Sequence, residues 1–273
     1  MEVKCLENIG FDIIIECFLK PFENYYVEMP KDLDFYRERW NYAKVDFKLS
    51  FGMFDNQNLI GFIINGIDRR NGVSIAFNTG TGVLPEFRRR KIVKRIYDFA
   101  IPKLKSNGIE KCLLEVISEN IIAIKSYQDV GFKKTRILKC FNGQIETREM
   151  NVKVVEKKLS SIDFDSLPNQ DFYSWDNHKA SIKENKKYRF FQIEDRGIMN
   201  SYFIINDKNG YLAQFDLVED GKQNWNKLIS GIRGVTKKVK INNVDAKFQK
   251  KISILKSSGL TNTIDQYEME MAL

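Results

Sequence analysis

The stretch LLEVISENIIAIKSYQDVGF, from Leu113 to Phe132, decides how we interpret the fold of this chain. It begins as a β-rich run, turns at the polar residues 118–120, and continues as a helix whose apolar face ends at Tyr127. Gly131 follows four residues later, where a helix often needs a residue in the left-handed conformation. The stretch therefore predicts a strand, a turn, a helix and the start of another strand.

The composition is that of a soluble globular protein. The 273 residues suffice for one large or two small domains, and 43% hydrophobic with 29% charged residues is ordinary. No apolar run is long enough to span a bilayer, and the N-terminus lacks the apolar region of a signal peptide. The four cysteines form no CxxC pair, which favours free thiols. We expect a cytoplasmic protein.

Histidine content and charge narrow the classes of function. His178 is the only histidine, which excludes a multi-histidine metal site within one chain and argues against a Ser-His-Asp enzyme. We expect no metal, and we expect His178 on the surface or in a loop. The net charge of +8 could attract nucleic acid, but the cations are scattered apart from the run at 88–95. We interpret them as a solvated surface and expect no nucleic-acid partner.

Periodicity and turn signals outline the first part of the chain. They predict helices between residues 17 and 42, three antiparallel strands, a helix at 88–106, a strand at 110–117, a helix at 120–130, and a hairpin at 132–154 that turns at Asn142 and Gly143. This order predicts an α+β layered sheet with a parallel pair of strands at its middle.

The second part of the chain repeats this order in a shorter form. The polar run 160–170 predicts a linker, followed by a hairpin, a helix, a strand, a helix and a last strand. Leu255 lies four residues before Gly259, as Tyr127 lies four residues before Gly131. We predict two domains, 1–158 and 168–273. The second is a degenerate repeat of the first or, alternatively, an unrelated small α+β domain.

The spacing N-x-x-A-x-x-x-Y-x-x-x-G-F, from Asn120 to Phe132, resembles the acetyl-CoA-dependent GNAT N-acetyltransferases. The run VLPEFR at 83–88 resembles the segment that leads into the pyrophosphate-binding loop of that superfamily. The resemblance covers residues 49–150. It implies a GNAT-like central mixed sheet flanked by helices, followed by a smaller GNAT-like unit without a cofactor motif, as in a bacterial tandem subgroup.

The resemblance also implies how acetyl-CoA is held. The helix start after Arg88 can bind a diphosphate through free N–H groups and the helix dipole. The family pattern Q/R-x-x-G-x-G/A fits at Arg88, but Lys91 and Val93 replace its two small residues. The glycines of the run 79–82 suggest a bulge or a backbone that approaches a ligand. The residues implied to contact the cofactor are Thr81, Gly82, Val83, Arg88, Arg89, Arg90, Lys91, Ile92, Val93, Lys94, Asn120 and Tyr127.

Two residues are candidates for proton transfer. Tyr127 matches the family's tyrosine, which protonates the departing thiolate, and a phenol with a pKa near ~10 can protonate a thiolate whose thiol has a pKa near ~8.5. The alternative is a core tyrosine on an amphipathic helix.

Glu115 is a charged residue in an apolar strand, and it could act as the general base toward the amine. The alternative is a base elsewhere or a chain of waters. Asn120 is expected to cap the helix.

We therefore predict an acetyl-CoA-dependent N-acetyltransferase that acts on a primary amine of a small molecule or a peptide. The alternative is a non-catalytic acyl-CoA-binding or protein-interaction module. Lys91 and Val93 favour this alternative, whereas Tyr127 and Asn120 favour the enzyme. We expect a monomer or homodimer that does not associate with a membrane. The fold does not choose the acceptor amine.

Overall fold

A computed structural model describes residues 1–23 and 25–273 and divides the chain into two compact units. The first unit comprises Met1–Thr135 and Tyr267–Leu273, and the second comprises Arg136–Gln266. The sequence-based boundary at 158–168 therefore differs from the division in the structure. The reason is that the C-terminal end of the last strand belongs to the first unit. The local sequence does not predict this long-range strand pairing.

The first unit is a mixed sheet with helices. Its elements are β1 Glu2–Cys5, α1 Phe11–Leu19, α2 Leu33–Tyr42, β2 Phe51–Asp55, β3 Asn58–Arg70, β4 Val73–Val83, α3 Ile92–Ser106, β5 Lys111–Ile117 and α4 Ile121–Gln128, joined by the end of β12 Leu260–Ala272. The strand order is β1-β2-β3-β4-β5-β12. Strands β1 to β4 pair antiparallel, and β4 with β5 is parallel, as predicted.

Two helices cover opposite faces of this sheet. Phe18 on α1 lies against Phe62, with ring centroids 5.3 Å apart, whereas a Cβ on the neighbouring Gly61 would meet Ile92 of α3 at 3.0 Å. Because successive strand residues point to opposite faces, α1 and α3 lie on opposite sides of β3. The buried core of the unit extends over both faces.

The second unit repeats the topology of the first. Its elements are β6 Lys133–Gln144, β7 Lys153–Lys157, α5 Lys179–Ile182, β8 Arg189–Asp195, β9 Ile198–Asn206, β10 Tyr211–Leu217, α6 Lys222–Val235, β11 Lys238–Asp245 and α7 Gln249–Ser257, with the start of β12. The strand order is β12-β6-β11-β10-β9-β8-β7, and β10 with β11 is parallel. The sequence β8-β9-β10-α6-β11-α7-β12 thus repeats β2-β3-β4-α3-β5-α4-β6.

Two local predictions are wrong. Asn142 and Gly143 do not form a hairpin turn, because they lie inside β6 and pair with β11. A Cβ on Gly143 would lie 3.0 Å from the carbonyl oxygen of Gly259, so this glycine allows a close approach of backbone. The run 160–170 is not a linker, because Phe164 and Leu167 are buried in a hydrophobic cluster of the second unit.

His178 also differs from the prediction. It is buried, and its Nδ1 accepts a hydrogen bond from the amide of Ala180 at the start of α5. Among the helices of residues 1–23 and 25–273, none has the length and the apolar character to cross a membrane.

Candidate active site

Strands β4 and β5 separate at one end of their parallel pair. Their register runs from Ile75 beside Lys111 to Asn78 beside Leu114 and goes no further, although β4 continues to Val83. The pairing of β4 with β3 skips Thr79, which makes this residue a β-bulge. The edge of β4 beyond the bulge therefore carries main-chain groups that β5 does not pair.

The two glycines after the bulge have a packing role. A Cβ on Gly80 would meet the ring of Phe18 at 2.6 Å, and one on Gly82 would meet Phe62 at 2.6 Å and Pro21 at 2.9 Å. The side chains of Phe18, Phe62 and Pro21 therefore pack closely on the α1 face of β4 at these positions. The glycines allow this packing, and the ligand-facing edge of the strand is a separate feature.

Tyr127 is buried on α4 beside this gap. Its ring packs edge-to-face on Phe132, with centroids 5.8 Å apart. Burial raises the pKa of the Tyr127 phenol to about 12, and a side-chain hydrogen bond with Thr81 on β4 acts in the opposite direction. The phenol is therefore protonated at neutral pH, as a general acid must be.

A buried polar cluster joins Tyr127 to β4 and α3. The side-chain amide of Asn78 donates to the hydroxyl of Thr81 at 2.7 Å and to that of Tyr97 at 2.6 Å. Thr81 acts to lower the pKa of both tyrosines, against the larger effect of their burial. Burial raises the pKa of Tyr97 well above its usual value. We call Asn78, Thr81, Tyr97 and Tyr127 the hydroxyl cluster.

Glu115 lies on the other face of the sheet. Asn78 and Leu114 are register partners, so their side chains share a face, and Asn78 reaches Tyr97 on α3. Glu115 follows Leu114 and therefore points to the face on which α1 packs, where it is half-buried. The two candidate catalytic side chains, Tyr127 and Glu115, thus approach the gap between β4 and β5 from opposite faces.

Asn120 caps α4, as predicted. Its side-chain oxygen accepts from the amide of Ala123 at 3.1 Å, and its amide nitrogen donates to the hydroxyl of Tyr25 at 3.2 Å. The neighbouring Tyr26 donates to the main-chain oxygen of Glu119 at 3.2 Å. The segment between α1 and α2 is therefore joined to the turn between β5 and α4.

The turn before α3 keeps a glycine-like backbone without glycine. Lys91, the N-cap of α3, has φ 55° and ψ 29°, and Arg89 has φ 64°. Left-handed conformations at residues other than glycine cost about 1–3 kcal/mol each. Lys91 occupies the left-handed position that the family pattern assigns to glycine. The first amides of α3 have no acceptor within the helix, because the α-helical pattern begins four residues on.

Three of the cations around this turn have partners within the protein. Arg88 donates to the carbonyl oxygens of Pro21 and Val83, at 3.2 Å and 3.4 Å. Arg90 donates to the carbonyl of Glu86, and Lys94 pairs with the carboxylate of Asp98 on the surface of α3. These side chains position the turn, and their charge adds to the field at the helix start. Ile92 and Val93 pack into the core.

These residues fit an acyl-CoA donor. The unpaired edge of β4 offers main-chain groups to an extended chain, and the hydroxyl of Thr79 at the bulge is buried without a hydrogen-bond partner. The cationic helix start offers amides to a diphosphate. No cluster of three or more His, Cys, Asp or Glu side chains suited to a metal ion occurs among the described residues.

At the equivalent place in the second unit, side chains satisfy the main-chain groups of the strand. The bulge of β10 falls at Ala213, so Phe215 corresponds by count to Thr81. The hydroxyl of Tyr173 bonds both the amide and the carbonyl of Phe215, at 3.3 Å and 3.0 Å. Lys251 on α7 also donates to that carbonyl at 2.9 Å and to the carboxylate of Asp216 at 2.9 Å. Side chains therefore satisfy the main-chain groups of β10 that correspond to the open edge of β4.

The helix start in the second unit also differs from that of α3. Four residues, 218–221, connect β10 with α6, and two of them are the acids Glu219 and Asp220. Asp220 accepts from the amide of Gly221 at 2.8 Å and pairs with Lys250. A carboxylate thus lies just before α6, whereas the residues just before α3 are cationic.

The sequence suggested Tyr127, Asn120, Glu115 and the turn before α3 as candidates, but it did not suggest Asn78 or Tyr97. Asn78 carried a signal, because it is a polar residue at the end of an otherwise apolar strand segment. Tyr97 carried none, since a tyrosine on the buried face of an amphipathic helix is usually a packing residue.

Comparison with known proteins finds one family whose profile matches the part of the chain that holds this site. The profile of the Acetyltransferase (GNAT) family matches residues 11–132. The sequence has no significant match among curated proteins.

Three solved structures illustrate the similarity of fold. A candidate acetyltransferase from Pyrococcus horikoshii shares 11% identity and has a TM-score of 0.70, with 100% of this chain and 89% of that chain covered. A tandem GNAT protein from the clavulanic acid biosynthesis pathway shares 9% identity at a TM-score of 0.70, covering 99% and 98%. A GCN5-related N-acetyltransferase from Anabaena variabilis shares 11% identity at 0.64, covering 98% and 72%. The fold is therefore that of the GNAT N-acetyltransferases, tandem members included.

Proposed function

Because residues 11–132 match the profile of the Acetyltransferase (GNAT) family, we propose that this chain transfers an acetyl group from acetyl-CoA to a primary amine of a small molecule or a peptide. One observation carries the proposal. The gap between β4 and β5 has a buried, protonated Tyr127 on one face and Glu115 on the other. An acid and a base that reach one gap from opposite faces suit acyl transfer to an amine.

Residues of the first unit would hold the donor. Main-chain groups of Thr81, Gly82 and Val83 lie on the open edge of β4, and Asn120 caps the helix that carries Tyr127. The amides of residues 88–94 and the surrounding cations suit the diphosphate. When bound, acetyl-CoA supplies an activated acyl thioester whose thiol can depart.

The protein's own groups would move two protons. Glu115 takes a proton from the amine, directly or through water, so that nitrogen can form its bond to the acyl carbon. Tyr127 gives its phenolic proton to the departing sulfur as the bond between carbon and sulfur breaks. The proton taken from nitrogen restores the phenol through solvent, so the net products are an amide and a free thiol.

The second unit supports one cofactor per chain. Tyr173 and Lys251 satisfy the main-chain groups of Phe215, and Asp220 occupies the start of α6. Leu255 lies at the position of Tyr127, so this unit offers no phenol to protonate a thiolate.

Release of free thiol from acetyl-CoA in the presence of a panel of amines tests the activity. The panel contains a polyamine, an amino sugar, an amino acid and a peptide with a free N-terminus. We expect release that depends on one of these amines. Binding of acetyl-CoA without release for any amine would favour a non-catalytic acyl-CoA-binding module.

A further inference from the structure

We infer that Tyr25, on the segment that follows α1, donates its phenolic hydrogen to a carbonyl oxygen of the pantetheine arm of the acyl donor. The inference rests on the proposed function. It adds to the donor site a side chain that the sequence did not suggest, and it assigns that side chain to the amide-bearing part of CoA.

The segment that follows α1 crosses the gap between β4 and β5 on the α1 face. On the β4 side, the ring of Pro21 lies 2.9 Å from the place that a Cβ on Gly82 would take, and the carbonyl oxygen of Pro21 accepts from Arg88 at 3.2 Å. On the other side, the hydroxyl of Tyr25 lies 3.2 Å from the side-chain nitrogen of Asn120, at the start of α4. The segment thus runs from the open edge of β4 to the turn that follows β5.

Aromatic rings hold Tyr25 in this place. Phe22 packs on Phe18, with ring centroids 5.0 Å apart, and Phe18 in turn packs on Phe62 of β3. Tyr25 packs edge-to-face on Phe22, with centroids 5.1 Å apart. Because the ring of Tyr25 is fixed by Phe22 and its hydroxyl by Asn120, the hydroxyl has a defined position beside the gap.

The helix cap fixes the direction of the hydrogen bond between Asn120 and Tyr25. The side-chain oxygen of Asn120 accepts from the amide of Ala123 at 3.1 Å, so the side-chain nitrogen is the atom that faces Tyr25. An amide nitrogen only donates, so the Tyr25 oxygen is the acceptor and keeps its own hydrogen. Within residues 1–23 and 25–273, the Tyr25 hydroxyl donates no hydrogen bond. Its hydrogen is therefore available to a ligand.

The contents of the gap indicate which ligand group accepts this hydrogen. The edge of β4 from Thr81 to Val83 is not paired by β5, and such an edge suits an extended chain with amide groups. Pro21 packs on Gly82 in the middle of that edge, so a chain along it lies beneath the segment that carries Tyr25. The pantetheine arm of CoA is such a chain, and its amide carbonyls are acceptors that match the hydrogen of Tyr25.

The experiment compares CoA with adenosine diphosphate that is phosphorylated on its ribose as in CoA and lacks the pantetheine arm. Calorimetry on the full-length protein gives the ratio of the two affinities, with the nucleotide measured by displacement of CoA. Because a hydrogen bond between neutral groups contributes modestly in water, we expect Tyr25→Phe to lower this ratio by about twofold to tenfold. The ring keeps its contacts with Phe22 and Tyr26. The control Tyr42→Phe on α2 should leave the ratio unchanged.

Asn120→Asp tests the direction of the hydrogen bond. A carboxylate still accepts from the amide of Ala123 and caps the helix equally well, but it cannot donate to Tyr25. The hydroxyl of Tyr25 would then donate to the carboxylate, and its hydrogen would no longer be available to CoA. We expect Asn120→Asp to lower the ratio by about the same factor, and to change it little in the Tyr25→Phe background. Circular dichroism confirms that each variant is folded.

The outcomes are distinct. A wild-type protein that binds neither CoA nor the nucleotide would overturn the proposed function and this inference with it. Equal loss of affinity for both ligands in Tyr25→Phe would show that the hydroxyl supports the fold and not the pantetheine arm. An unchanged ratio with a raised KM for the acceptor amine would show that the hydroxyl faces the acceptor. Either of these two results would overturn the inference alone and leave the proposed function intact.

Discussion

The hydroxyl of Tyr173 lies 3.0 Å from the carbonyl oxygen of Phe215 and 3.3 Å from its amide nitrogen. One side chain thus satisfies both main-chain groups at the place in the second unit that corresponds to Thr81 in the first. Two strands that separate leave their facing main-chain groups without partners, and buried groups of this kind must find others. The first unit leaves these groups on β4 without partners in β5, whereas the second unit satisfies the corresponding groups of β10 with its own side chains.

Because the main-chain groups of β10 are already hydrogen-bonded, we expect one CoA site per chain. Calorimetric titration of the full-length protein with CoA should give a stoichiometry near one. The Tyr173→Phe variant should keep that value, because Lys251 still bonds the carbonyl of Phe215 and Asp220 still occupies the start of α6. A stoichiometry near two in the wild-type protein would contradict the assignment.

Tyr127→Phe should lower kcat by about 10²–10⁴-fold with little change in KM for acetyl-CoA. The hydroxyl is needed when the thiolate departs, while the ring retains its packing on Phe132. Steady-state kinetics measure the change, and Tyr42→Phe on α2 serves as a control for loss of a tyrosine hydroxyl. Unchanged turnover in Tyr127→Phe would make Tyr127 a packing residue.

The pH dependence of the wild-type protein follows from the raised pKa of Tyr127. A phenol with a pKa of about 12 stays protonated as the pH rises to about 10, so the acid form is present throughout the usual range. Tyr127→Phe should therefore lower the whole profile of kcat against pH without moving its limbs. A basic limb below about pH 10 that disappears in Tyr127→Phe would show that the phenol titrates much lower than its burial implies.

Glu115→Gln should remove the acidic limb of the rate profile if Glu115 is the general base. The amide keeps the size and polarity of the side chain on the α1 face of β5 but cannot take a proton. Steady-state rates from about pH 5 to pH 9 make the comparison, with circular dichroism as a check of the fold. If the acidic limb stays at the same pH, another group or the acceptor amine controls it.

Lys91→Gly should make the protein more stable than Lys91→Ala. Both changes remove the same charge, and both residues must adopt the φ of 55° found at Lys91. Alanine bears a left-handed penalty of about 1–2 kcal/mol, while glycine loses about 0.5–1 kcal/mol through the greater freedom of the unfolded chain. The free energy of unfolding measured in urea should thus be about 0.5–1 kcal/mol higher for the glycine variant than for the alanine variant. Equal stability would mean that the turn relaxes in solution.

The sequence by itself determined the features that depend on neighbours within one or two turns of the chain. Asn120 caps α4 because its side chain reaches an amide three residues on, and Gly131 has φ 121° just after the helix, where a left-handed residue was expected. The position of Tyr127 follows from the same spacing. The parallel pair β4 and β5 and the location of the helix start also followed from the order of elements, and the structure has both.

Only the tertiary structure decided which distant residues meet. Asn78 and Tyr97 are far apart in sequence, and their hydrogen bond depends on how α3 packs on β4. The end of β12 joins the first unit, where the amide of Leu273 donates to the carbonyl of Glu110. Asn142 reads locally as a turn but pairs with Lys240 of β11. Helix caps are local hydrogen bonds and leave a local pattern. Strand pairing and side-chain clusters depend on long-range packing. The periodicity of a short stretch of sequence does not indicate which distant residues it will contact.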